Sequence, residues 1–212
     1  MEVNTTSQFS ANELAEIEEF FAGYAKKVEC SVEEAKRITI KAVDKKHGWT
    51  LLYDAACEGD ATFVKYLISL GADIDAKDYM EMTPLHWVSL GGDVAMADLL
   101  VSNGANVHAE DMHGNTPLHL AMGESNDADL IKILVSAGAN IHEKNYTGCT
   151  PLCYAASSGN IEAAKYLISL GADIDAKGQW GYTVLDTARY KGHTAVIEYL
   201  ESIGAKSSCD VP

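Results

Sequence analysis

Thr50, Thr83, Thr116, Thr150 and Thr183 stand 33, 33, 34 and 33 residues apart. Gly71-Ala72, Gly104-Ala105, Gly138-Ala139, Gly171-Ala172 and Gly204-Ala205 run in phase with them. Three of the threonines open nearly one tetrad: Thr83-Pro84-Leu85-His86, Thr116-Pro117-Leu118-His119 and Thr150-Pro151-Leu152-Cys153. Looser copies sit at Thr50-Leu51-Leu52-Tyr53 and Thr183-Val184-Leu185-Asp186. A fixed period of this size marks stacked repeats, in which no unit buries its apolar face alone. It argues against one central core, and the 212 residues are expected to form an elongated stack.

Each unit has the same internal logic. Thr is a good N-cap, and Pro at the first helical position loses no needed hydrogen bond, so each tetrad starts a helix. Gly59, Gly92, Gly159 and Gly192 end it. A second helix carries Leu67, Leu100, Leu134, Leu167 and Leu200 at equivalent places. The glycine of each Gly-Ala pair then supplies a left-handed position. The residues up to the next Thr are too few for another helix and read as a hairpin-like loop. The expected repeats are about 45–77, 78–110, 111–144, 145–177 and 178–205. The third has one extra residue near Gly123–Asp127, read as a change of loop and not of stack. Ile68, Val101, Val135 and Ile168 form an apolar row whose next member is Glu201, so the fifth unit reads as a terminus and 206–212 as a loose tail.

Residues 1–44 do not follow the repeat register. Residues 1–9 are polar and read as frayed. Ser10-Ala11-Asn12-Glu13 and Ser31-Val32-Glu33-Glu34 are capping-box patterns. The first opens a stripe of Leu14, Ile17, Phe20, Phe21, Tyr24 and Val28, and the second one of Val32, Ala35, Ile38, Ala42 and Val43. The pair reads as a helical hairpin shielding the first repeat's open face, or alternatively as a separate partner-binding helix pair.

The period, the tetrad and the Gly-Ala marker resemble the ankyrin-repeat family over about residues 45–205. The resemblance implies an all-α solenoid of helix–turn–helix units with hairpin-like loops, here with the N-terminal hairpin as cap. It also implies non-enzymatic protein–protein binding on a concave face built from hairpin tips and first helices. Departures are Glu81 where Gly114, Gly148 and Gly181 occupy the turn, and Tyr53, Cys153 and Asp186 at the His position; these are expected to loosen local hydrogen bonding. Mapped onto this chain, the concave face selects Trp49, Tyr79, Met80, Met82, Leu90, Met112, His113, Glu124, Tyr146, Trp180, Tyr182 and Tyr190. Large aromatic and Met side chains are typical interface anchors.

The charge is −15, from 16 basic and 31 acidic residues, and no basic stripe is present to neutralise phosphates. The expected partner is therefore a protein or peptide with basic or apolar segments, not nucleic acid or membrane, bound by a monomer. Masking an enzyme's active site or a basic surface is the alternative role, and an effector acting on host proteins has the same signature. Five scattered cysteines, no basic-then-apolar leader and no long apolar run suit a cytoplasmic location, with the nucleus open.

Other patterns carry less. His86 and His119 read as turn-holding residues of the tetrad. Asp75, His108, His142 and Asp175 recur at one position, but stacked repeats hold equivalent positions about 8–10 Å apart, too far for one metal ion. They read as a solvated polar row. Cys149 and Cys153 lack a second ligand pair and read as free thiols. No cofactor or catalytic residue is expected. Residues 65–77 recur identically as 165–177, which argues against position-specific recognition there.

Overall fold

The computed structural model describes residues 10–28, 31–123 and 128–209. Within them the chain is helical, with two isolated antiparallel bridges, Val43 to Thr50 and Lys177 to Thr183, and no strand. The N-terminal hairpin is α1 (Ala11–Val28) and α2 (Val32–Thr39). Five helix pairs follow: α3 (Leu51–Glu58) and α4 (Ala61–Ser69); α5 (Pro84–Gly91) and α6 (Val94–Ser102); α7 (Pro117–Leu120) and α8 (Ala128–Ser136); α9 (Pro151–Ser158) and α10 (Ile161–Ser169); α11 (Val184–Lys191) and α12 (Thr194–Ser202).

Local chemistry sets these boundaries. Thr50 and Thr150 accept hydrogen bonds from the amides three residues on. First helices end on left-handed Gly59, Gly92, Gly159 and Gly192. Asp60, Asp93 and Asn160 cap the second helices. At their far ends, Ala72 N–H donates to the Leu67 carbonyl at 3.0 Å, and Ala105, Ala139, Ala172 and Ala205 repeat that bond with Leu100, Leu134, Leu167 and Leu200. Those leucines are fully buried, as are Leu52, Leu85, Leu118, Leu152 and Leu185 in the first helices. Each such burial contributes about 1.5–3 kcal/mol. Glu201 is exposed and pairs with Arg189 across α11 and α12 at 2.6 Å.

Residues 124–127, where the sequence places the extra residue of the third repeat, lie outside the described residues; α7 is four residues long where its equivalents have eight and still packs between α5 and α9. Three expectations need correction. Glu81 does not loosen its turn, because it adopts the same left-handed conformation as the glycines (φ 59°). Its N–H still donates to Asp78 O at 2.9 Å, as Gly114 N–H does to Asp111 O. The α2 helix stops at Thr39, so Ala42 and Val43 are exposed instead of inward. The chain leaves it for the first hairpin, where the Asp44 carboxylate accepts from the amides of Lys46, His47 and Trp49. The tail is held at least as far as Ser208: Ser207 Oγ and Ser208 N–H donate to Asp186 at 2.8 and 2.7 Å. Residues 1–9, read from the sequence as frayed, and residues 210–212 lie outside the described residues.

The hairpin rests on α4. Phe20 and Phe21 meet Phe63, Phe21 meets Tyr66, and Thr62 Oγ donates to Glu13. Lys36, nearly buried, bonds Glu18 at 2.5 Å and lies over the rings of Phe21 and Tyr66.

Candidate protein-interaction face

Three of the four loops between helix pairs end in a tight tip held by one acceptor side chain. Asp78 Oδ1 accepts from the amides of Met80 and Met82, Asp111 Oδ1 from His113 and Asn115, and Asn145 Oδ1 from Thr147 and Cys149. Successive tips are then joined by backbone bonds: Tyr79 N–H to His47 O, Met112 N–H to Met80 O, and Tyr146 N–H to His113 O, at 2.9–3.0 Å. The tips form one row because of these bonds. Behind it, Asn145 Nδ2 and Tyr154 Oη both donate to Asn115 Oδ1, at 2.8 and 2.6 Å.

The tetrad histidines hold the row to the helices. His86 Nδ1 accepts from Thr83 N–H at 3.1 Å, which leaves Nε2–H to donate to the Asn115 carbonyl of the next unit at 3.0 Å. His119 repeats this with Thr116 and the Cys149 carbonyl. Burial pulls both pKa values below the ordinary histidine range. A neutral, doubly bonded ring is a positioning element, not an acid–base pair facing a cleft.

The residues chosen from the sequence divide into three groups. Tyr79 (64 %), Tyr146 (70 %), Trp180 (81 %) and Tyr190 (81 %) are widely exposed, and Met80, Leu90, Met112, His113 and Tyr182 are exposed as well. Met82 is buried at 4 %, against expectation. Among the residues just before each N-cap Thr, Met82 and Asn115 are buried, Trp49 and Cys149 are half-buried, and Tyr182 is exposed. Trp49 is half-buried, stacked between His47 at 4.4 Å and Tyr53 at 4.7 Å, and so covers its own repeat. Glu124 lies outside the described residues.

Tyr79 and Tyr146 also lean on the preceding tips. A Cβ on Gly48 would stand 2.8 Å from the Tyr79 ring, and one on Gly114 would stand 2.5 Å from the Tyr146 ring. Tyr146 Oη donates to Glu110 at 3.1 Å. The fifth tip is built differently, because Gly178 replaces the Asp or Asn acceptor and the Cys149 sulfur fills the space of the missing side chain, 2.7 Å from where a Cβ would be. Trp180 is left-handed there (φ 57°).

Trp87 belongs to this face and was not among the chosen residues. It makes edge contacts with Trp49 and Tyr53 and donates Nε1–H to Asp78 at 3.0 Å. Its signal was the variable position four after each Thr, where Asp54, Leu120, Tyr154 and Thr187 also stand.

The polar row on the opposite loops has a structural use. Asp75 Oδ1 accepts from Asn106 N–H and Asp175 Oδ1 from Lys206 N–H, both at 2.8 Å, so the duplicated segment makes the same inter-repeat bond twice. Among the described residues no three His, Cys, Asp or Glu side chains converge to hold a metal ion. Neither Cys149 nor Cys153 is in a disulfide, and a hydrogen bond to Cys149, then burial, push Cys153 up in pKa. Among the described residues no helix is long and apolar enough to cross a membrane.

The comparison with protein families agrees with this geometry. A model of ankyrin repeats in three copies matches residues 79–145 and 122–209, and a second, of ankyrin repeats in many copies, matches 52–101. The chain belongs to the ankyrin-repeat family. No curated protein matches it. Ankyrin repeats are protein–protein interaction modules and are typically non-enzymatic.

Proposed function

We propose that this ankyrin array is a monomeric, non-enzymatic adaptor that holds a protein or extended peptide along the row of hairpin tips. The carrying observation is the exposure of Tyr79, Met80, Met112, Tyr146, Trp180 and Tyr182 on tips whose backbones are already fixed. A rigid row of large apolar side chains binds with little ordering cost. The N-terminal hairpin acts as a cap over α4. Nucleic acid and membrane are not partners in this reading, and the working location is the cytoplasm or nucleus.

The test is the triple replacement of Tyr79, Trp180 and Tyr182 by Ala, used as bait beside the unaltered chain in a pull-down from the native cell. Loss of the captured protein with an unchanged urea midpoint is expected; retained capture counts against the tip row.

The net charge of −15 supports a second reading, a regulatory subunit that masks a basic surface of an enzyme or of another protein. Its affinity should fall steeply as salt rises, whereas aromatic anchoring should not.

A further inference from the structure

A groove of about 390 Å³ lies between the C-terminal ends of α3 and α5. Its walls are Ala56, Cys57, Trp87, Val88 and Leu90, with Asp93 at its border. Trp87 is fixed from behind by its bond to Asp78 and by Trp49 and Tyr53, so the groove is preformed. No Lys or Arg is among the residues that line it. Glu58 and Asp93 are exposed beside it, and Asp54 is one turn back on α3. Burial, then the carboxylates of Asp44 and Glu58, raise Asp54 above its ordinary pKa. The fifth repeat has Lys191 where the first has Glu58, so the rim is not acidic at that end of the stack.

Resting on the interaction-face reading above, we propose that this groove takes an apolar anchor side chain from a partner protein segment whose neighbouring residues are Lys or Arg. The anchor fills the space beside Trp87 and Leu90, and the flanking cations lie over Glu58, Asp54 and Asp93. The charges favour such a segment over a second copy of this acidic chain.

The experiment titrates the ¹⁵N-labelled full-length chain with the blocked octapeptide Gly-Lys-Arg-Leu-Leu-Arg-Lys-Gly. Two controls replace its leucines by serine or its basic residues by glutamate. Saturable shifts at the Trp87 indole and the Leu90 amide are expected with the first peptide alone. Binding should weaken about fivefold in the Asp54→Asn/Glu58→Gln variant and again in Leu90→Ser, from loss of rim charge and of anchor contact respectively. Absence of saturation, equal binding of the acidic control, or groove shifts on concentrating the free chain without peptide each overturn the proposal. Shifts confined to Tyr79, Tyr146 and Trp180 overturn it too, while leaving the tip row standing as the binding face.

Discussion

Ser208 N–H donates to the Asp186 carboxylate at 2.7 Å, closing a 22-residue span at the C-terminal end of the stack. In the second and third repeats the equivalent side chain is histidine, which reaches forward to the next unit's loop. In the fifth repeat an acceptor stands at that position and captures Ser207 and Ser208 instead. Burial opposes ionisation of Asp186, but hydrogen bonds from the Thr183 amide, the Ser207 hydroxyl and the Ser208 amide hold its carboxyl well below the usual carboxylate range. Asp186→Ala should cost about 1–3 kcal/mol in urea unfolding. Truncation after Ala205 should cost a similar amount, and the two together little more than either. Full additivity would show that the tail does not act through Asp186.

His86 and His119 make stability depend on pH near neutrality. Their folded pKa values lie below the unfolded value of about 6.5. The unfolded chain therefore binds protons that the folded chain refuses. The stabilisation is complete above that pH and is lost as pH falls from there toward the folded values. The urea midpoint should drop between pH 7.5 and 5.5. A His86→Asn/His119→Asn variant should start lower and show a flatter slope. An unaltered slope would assign the pH dependence to other groups.

Gly114 is required twice, by its φ of 75° and by the Tyr146 ring above it. Gly204 has a φ of 83° and nothing within 4 Å of an added Cβ. Gly204→Ala should cost about 1–2 kcal/mol from left-handed backbone alone. Gly114→Ala should cost about 1 kcal/mol more by displacing the ring. Adding Tyr146→Ala should relieve the ring's part of that excess and leave the part due to the Tyr146 backbone nitrogen, 2.9 Å from the same Cβ, as read from thermal unfolding of these variants and of Tyr146→Ala alone.

Phe21 is fully buried against Phe63, Tyr66 and Lys36. Phe21→Ala should destabilise by about 3–5 kcal/mol. If the hairpin is a cap, deleting residues 1–46 should expose the apolar side of α4 and leave an aggregating chain. A soluble 47–212 fragment with one cooperative transition would falsify the cap role.

The row of exposed tip residues was partly legible. Tyr79, Tyr146 and Trp180 were readable because a repeat supplies its own ruler, and counting from each Thr separates varied positions from repeated ones. Met82 was misplaced because the same count does not say which way a side chain turns one residue before the N-cap. Trp87 was missed because the variable position four after each Thr lay outside the count. Its contacts with Trp49 and Tyr53 exist only once two units are stacked.

From the sequence alone came the family, the number of units, the caps and the left-handed glycines. All of these depend on contacts within a few residues, and local preference repeats wherever the sequence repeats. Only the tertiary structure decided that Asp186 clasps Ser207 and Ser208, and that an apolar groove with an acidic rim opens between α3 and α5. Those depend on residues distant in sequence meeting in space, where side-chain direction and volume choose the outcome and the period is silent.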